Sequence, residues 1–188
     1  MNKLILTAIV SLSLVLSAWS APIPTDMWTN VNSDEDWDFD SLGDINRSKN
    51  YKISHLRYKL EMNKPYRIEY IIQVFDTGST DGRGALIRWD DVNEIFFTFA
   101  DDFPFGIVRE TVGGGWSYWA SSKEINIYKN RHYHVIIEVL SDKVTMQVDG
   151  KKISKDVETP FPHLLELKDQ RGGTSFKNIM LKRPRGKK

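Results

Sequence analysis

Residues 131–153, RHYHVIIEVLSDKVTMQVDGKKI, read as two alternating strands followed by a short third one. Successive side chains of a strand point to opposite sides, so Val135, Ile137 and Val139 share one face of the first strand and Val144, Met146 and Val148 one face of the second. Thr145 and Gln147 point the other way, which gives the hairpin one buried face. Ser141-Asp142 forms the first turn. Asp149-Gly150 forms the second, a dipeptide suited to a tight hairpin turn with positive φ.

The same period of two recurs outward from this hairpin. Residues 66–75 place Ile68, Tyr70, Ile72 and Val74 opposite Arg67, Glu69 and Gln73, and a polar loop follows from Asp76 to Gly82. Ala85, Ile87 and Trp89 align on the next strand, Asp90 to Asn93 turns the chain, and Ile95, Phe97 and Phe99 align on the strand after it. Residues 106–111 form a further strand between Pro104 and Gly113-Gly114-Gly115, and residues 174–181 a last strand that returns to pair near the N-terminal one. The windows 54–60 and 164–167 are too short or too mixed to hold a helical stripe. Short strands at about 8 to 12 residue spacing predict an all-β fold, a two-sheet antiparallel β-sandwich.

Residues 1–20 read as a secretory signal: Lys3, then an apolar run from Leu4 to Leu16, then Ala18-Trp19-Ser20 with small residues where a signal peptidase cuts. The run falls short of the roughly 20 residues that span a bilayer, so no transmembrane anchor is expected. Removing 20 of 188 residues leaves 168, one domain's worth, with a single sandwich expected over 21–181 and a basic, flexible tail over 182–188. The signal holds one of the 26 basic residues, which leaves 25 against 25 acidic ones. Balanced charge argues against nucleic acid as a partner. The chain has no cysteine, so its stability must come from an aromatic-rich core rather than disulfides, which favours a periplasmic or secreted bacterial protein.

The order of features resembles the concanavalin A-like lectin/glucanase superfamily, in particular its laminin-G-like and bacterial sugar-associated branches. The likeness rests on YRIEYIIQVFD, GALIRWDDVNEIFFTF, a Trp-bearing connection, Tyr133-His134 at the start of a long strand, VTMQVDGKKI and the closing F-x-N-I-x-L strand, over Phe39 to Leu181. It implies a jelly roll of two curved sheets that binds glycans on its concave face or in loops at one edge. Glucanases of this type carry acidic residues spaced E-x-D-x-x-E or E-x-D-x-E. Glu69 and Glu138 stand in no such spacing, so a catalytic carboxylate pair is not expected, and a glycoside hydrolase would need an atypical one. No thiol, G-x-S-x-G, P-loop or H-E-x-x-H sequence is present either.

Trp116, Tyr118 and Trp119 follow three glycines and are the candidate sugar platform, because sugars lay apolar C–H faces on aromatic rings. Arg88, Asp90 and Arg109, expected to face away from the core, would supply hydrogen bonds. Either Trp could instead plug the end of the sandwich. Exposed Trp, Tyr and Arg would equally serve a protein partner or an inhibitory interface. Asp34, Asp36 and Asp38 lie in an acidic run that could ligate calcium, although such runs usually face water. His132 and His134 share a strand face and could offer two ligands to a metal, but packing at the strand start is the ordinary role of His134.

Overall fold

The computed structural model describes residues 22–31, 37–47, 53–75, 82–99, 105–111, 115–170 and 173–184. A single 3-10 turn, Thr25–Met27, precedes fourteen strands. These are β1 (Trp28–Asn30), β2 (Trp37–Phe39), β3 (Ile45–Arg47), β4 (Ser54–Tyr58), β5 (Tyr66–Val74), β6 (Arg83–Arg88) and β7 (Glu94–Phe99). The second half supplies β8 (Phe105–Thr111), β9 (Gly115–Ser122), β10 (His132–Val139), β11 (Lys143–Val148), β12 (Lys151–Asp156), β13 (Leu164–Asp169) and β14 (Thr174–Lys182). They form two seven-stranded antiparallel sheets, ordered β1-β4-β13-β6-β7-β8-β9 and β12-β11-β10-β5-β14-β3-β2. The predicted jelly-roll sandwich is the observed fold.

The hairpin that opened the sequence reading forms β10, β11 and β12. Val135 pairs with Val148, Ile137 with Met146 and Val139 with Val144, and all six are buried. Asp149 and Gly150 both adopt positive φ, 44° and 87°, as the tight turn requires. The last strand, β14, sits between β5 and the N-terminal β3 as expected. It runs to Lys182, one residue beyond the expected strand, and the Lys182 ammonium lies 2.8 Å from Glu69 Oε2.

Between the sheets, Ile68, Tyr70, Ile72, Phe176 and Tyr133 of the second sheet meet Ile87, Ile95, Phe97, Phe99, Phe105, Ile107 and Leu167 of the first. Tilted ring pairs lock this core: Tyr70 with Phe176 at 5.7 Å and Phe99 with Tyr133 at 6.0 Å between centroids. The Tyr133 hydroxyl donates to the Asn126 carbonyl at 3.1 Å and accepts the Tyr128 amide at 2.6 Å, which ties the connection before β10 to the strand.

Two windows passed over as poor helices are strands that matter. Residues 54–58 and 164–169 become β4 and β13, and β13 stands between β4 and β6 in the first sheet. That sheet is also buried on its outer side, where Leu86, Phe96 and Val108 form a second, smaller cluster. Every residue of β7 is buried, so the solvated outer face expected of an alternating strand does not exist there.

Close sheet packing leaves Gly84 no room for a side chain: a Cβ would lie 2.1 Å from the Phe97 carbonyl oxygen. Gly84→Ala is expected to lower unfolding free energy by about 3 kcal/mol in urea titration, the upper end for overpacking. A loss near zero would show that β6 and β7 separate freely.

Candidate functional site

Residues paired across an antiparallel sheet share a face, so register alone assembles the outer surface of the first sheet. One row runs Arg57, Glu166, Leu86, Phe96, Val108, Tyr118 across six strands. Beside it run Arg88, Glu94, Glu110 and Trp116 on one flank, and His55, Lys168, Gly84, Thr98 and Gly106 on the other. Acids, bases and aromatics drawn from residues 55 to 168 thus converge on one face.

The charges on it are buried and paired. Glu166, 1 % exposed, accepts from Arg57 Nε at 2.8 Å on one oxygen and lies 2.8 Å from His55 Nδ1 on the other. Arg88 Nε stands 3.6 Å from that second oxygen, a charge contact rather than a hydrogen bond. Glu94, 2 % exposed, accepts from Arg88 Nη2, and its other oxygen accepts from Lys168 Nζ at 2.8 Å. Burial alone would push the Glu166 carboxyl up; the hydrogen bonds from His55 and Arg57 and the charges of His55 and Arg88 outweigh it, so its pKa is lowered. Glu166 therefore stays ionised at neutral pH, in an array that joins β4, β13, β6 and β7.

Trp116 rests on this array. Lys168 Nζ lies 4.5 Å from the centre of the indole and 5.0 Å from that of Phe96, and the Phe96 and Trp116 rings are 6.2 Å apart. Three strands separate β13 from β9, about 19 Å across a flat sheet. Trp116 remains 46 % exposed, as does Tyr118, two residues along the same side of β9. Both were expected in an irregular connection. They stand instead on an edge strand, whose pleat orients them together.

The remaining predicted residues divide between two places. Arg88 belongs to the charged array just described. Trp119 turns inward and packs against the inter-sheet core, past a register shift between Ile107 and Val108. Arg109 was expected to face away from the core but pairs with Ile95, a core residue, because the alternation of Phe105 and Ile107 carries it to the same side. Its guanidinium lies 4.3 Å from the Trp89 ring centre and 5.3 Å from that of Trp119. Asp90 caps the β6–β7 turn, its Oδ1 accepting the amides of Val92 at 2.9 Å and Asn93 at 2.7 Å.

Of the calcium candidates, Asp34 and Asp36 lie outside the described residues, as does the loop 76–81. Asp38 is exposed on β2, while neighbouring Asp40 accepts the amides of Leu42 and Asp44, and Asp44 pairs with Lys177 at 2.9 Å. Among the described residues no three His, Asp or Glu side chains are grouped to hold a metal. His134 Nε2 lies 2.9 Å from Glu69 Oε1 on the outer face of the second sheet, and its amide donates to Asp149. Burial would raise the Glu69 carboxyl, but bonds from Lys182 and His134 and the charges of Lys182 and Arg67 bring it down to about 2.

The members that sequence reasoning missed are Glu94, Glu166, Lys168, His55 and Arg57. Their signal was present: SHLRY and LLELKD alternate polar and apolar residues, with ionisable groups on every second position.

No protein-family model and no curated protein sequence matches the chain. Solved structures do, and they show that the chain has the concanavalin A-like lectin/glucanase fold. A carbohydrate binding module from Bacillus subtilis, CBM66, shares 21 % identity with a TM-score of 0.61, covering 83 % of this chain and 95 % of that one. The exoplasmic/lumenal domain of VIP36, in a Ca2+/Man-bound form, shares 11 % over 86 % of this chain and 85 % of its own, with a TM-score of 0.64. A Bacillus licheniformis beta-glucanase shares 12 % over 88 % and 96 %, with a TM-score of 0.64.

Removing one member of the array strands its partners in low dielectric. Glu166→Ala is expected to cost about 3 to 5 kcal/mol in chemical denaturation, and a cost below about 1 would mean that water reaches Arg57 and Arg88. Glu69 gives a pH signature. Its folded pKa lies below the ordinary 4.5, so its contribution is present above pH 4.5 and is lost as pH falls toward 2. The Tm difference between wild type and Glu69→Gln should shrink across that window; a constant difference contradicts the pairing.

Proposed function

We propose that the protein is a secreted carbohydrate-binding, lectin-like module that holds its glycan on the outer face of the first sheet, against Trp116 and Tyr118. The observation that carries this reading is the seating of Trp116: a half-exposed indole held from below by Lys168 and Phe96, at the rim of a buried polar array. Such a ring is preorganised. Little side-chain freedom is lost when a sugar stacks on it. Two of the similar solved structures, a carbohydrate binding module and a Man-bound lumenal domain, favour the same reading.

The module is read as non-catalytic. A glycosidase needs one carboxyl that keeps its proton at working pH. Glu166 is held ionised by its cations and so is unsuited to act as that acid, and the sequence holds no E-x-D-x-E or E-x-D-x-x-E spacing that would supply a carboxylate pair. Secretion rests on the leader pattern of residues 1–20.

A glycan screen read by tryptophan fluorescence, with thermal unfolding as the control for folding, tests the assignment. Trp116→Ala should weaken binding of any responding glycan about 30-fold or more, as loss of a central aromatic anchor does, while leaving Tm nearly unchanged. Absence of any glycan response, or unaltered affinity in the variant, refutes the assignment. Release of reducing sugar from a polysaccharide would overturn the non-catalytic reading.

A further inference from the structure

Arg109 is a strongly basic group on the strand next to the aromatic one, and the site above does not use it. It stands on β8, paired with Ser117 of β9, and so lies across a single strand from Trp116, whose register partner is its neighbour Glu110. Its guanidinium lies against two indoles, 4.3 Å from the Trp89 ring centre and 5.3 Å from that of Trp119, contacts that use the π face of the group rather than its N–H donors.

Those donors have no protein acceptor. Among the described residues the Arg109 side chain makes no hydrogen bond and no ion pair, and its Nε is buried without a partner. Arg57, Arg67, Arg88 and Arg131 each pair with a carboxylate, and Arg47 donates to the Asp169 carbonyl. Burial depresses the Arg109 pKa, and the charge of Asp90 offsets this only in part. Asp90 is close enough for its charge to be felt, but its oxygens are engaged by the turn. A flat, partly buried guanidinium without a direct counter-ion is matched by a planar, singly charged group that can accept two parallel N–H bonds. The nearby Asp90 charge disfavours a free or multiply charged anion, so the occupant must gain binding energy elsewhere as well.

We propose that Arg109, held against Trp89 and Trp119, receives a carboxylate, so that the glycan recognised is one carrying uronic acid units. This rests on the carbohydrate-binding reading above and extends it: one part of the sugar chain lies on Trp116 and Tyr118, and a carboxylate crosses the free edge of β9 to Arg109. Trp116 and Trp119 are three residues apart on that strand, about 10 Å, a span that a short oligosaccharide covers.

Titration calorimetry of the full chain with polygalacturonate and with the same polymer after reduction of its carboxyl groups provides the test. The acidic polymer should bind about tenfold tighter or better, the value of one charge-assisted bidentate contact. Arg109→Gln should bring the acidic polymer to the level of the reduced one, and Arg109→Lys, which keeps the charge without the fork, should recover only part of the difference. Binding of the reduced polymer should be untouched by both and lost in Trp116→Ala. Equal affinity for the two polymers, or no effect of Arg109→Gln in a variant that unfolds at the wild-type temperature, overturns the proposal and leaves the lectin reading standing. Tighter binding of a sulfated polymer than of polygalacturonate also overturns it. The two readings separate further by the NMR signal of the Arg109 Nε–H on adding galacturonate or galactose. A shift with galacturonate alone, in a protein that binds no polymer, retains the carboxylate site and removes the Trp116 platform; no shift with galacturonate removes the carboxylate site.

Discussion

Arg88 stands between two buried carboxylates, donating to Glu94 and facing Glu166, and much of the first sheet is organised around that contact. Burying either acid without a cation would cost about 3 to 5 kcal/mol, a large share of a typical domain's net stability, which favours the register of β4, β13, β6 and β7 that brings Arg57, His55, Arg88 and Lys168 to them. Apolar packing between the sheets is tolerant of small shifts. A shared ion array is not, because a one-residue slip would turn every charge into the core.

The same array determines where the aromatic platform sits. Lys168 is pinned by Glu94 and supports the Trp116 ring, and Phe96 closes the remaining side, so the orientation of an edge-strand side chain is determined by groups on two interior strands. A rigid interior and a half-exposed ring at its border suit recognition, where the side chain must be ordered before the ligand arrives. Arg109 is held by a different device, two indoles rather than two carboxylates, on the other side of the same sheet. Stacking leaves Arg109 without a carboxylate partner, whereas Arg88 donates to Glu94 and faces Glu166.

Legibility in the sequence varied with the solvent exposure of each strand's second face. β5, β10 and β11 have a core face of Ile, Val, Tyr and Met, and their alternation was plain. β4 and β13 alternate too, but HLR and LELKD look like mixed polar segments because ionisable residues stand where solvent was assumed. The platform residues Trp116 and Tyr118 were legible by type, since exposed aromatics after glycines are conspicuous. Their shared orientation was not, because it follows only once residues 115–122 are a strand, whose alternation puts Trp116 and Tyr118 on one face and Trp119 on the other.

By itself the sequence determined the class of fold, the hairpin turn at Asp149-Gly150 and the apolar faces, since these depend on local geometry and on a period of two that any strand must obey. Which charged residues meet was decided only by the tertiary structure. His55, Lys168 and the Arg88–Glu94 pair come from distant parts of the chain and become neighbours because antiparallel register sets β4 and β13 beside the β6–β7 hairpin. The division of the aromatic and basic candidates into an outer platform and an inner cluster has the same origin, because only the assembled sheet assigns each side chain its face.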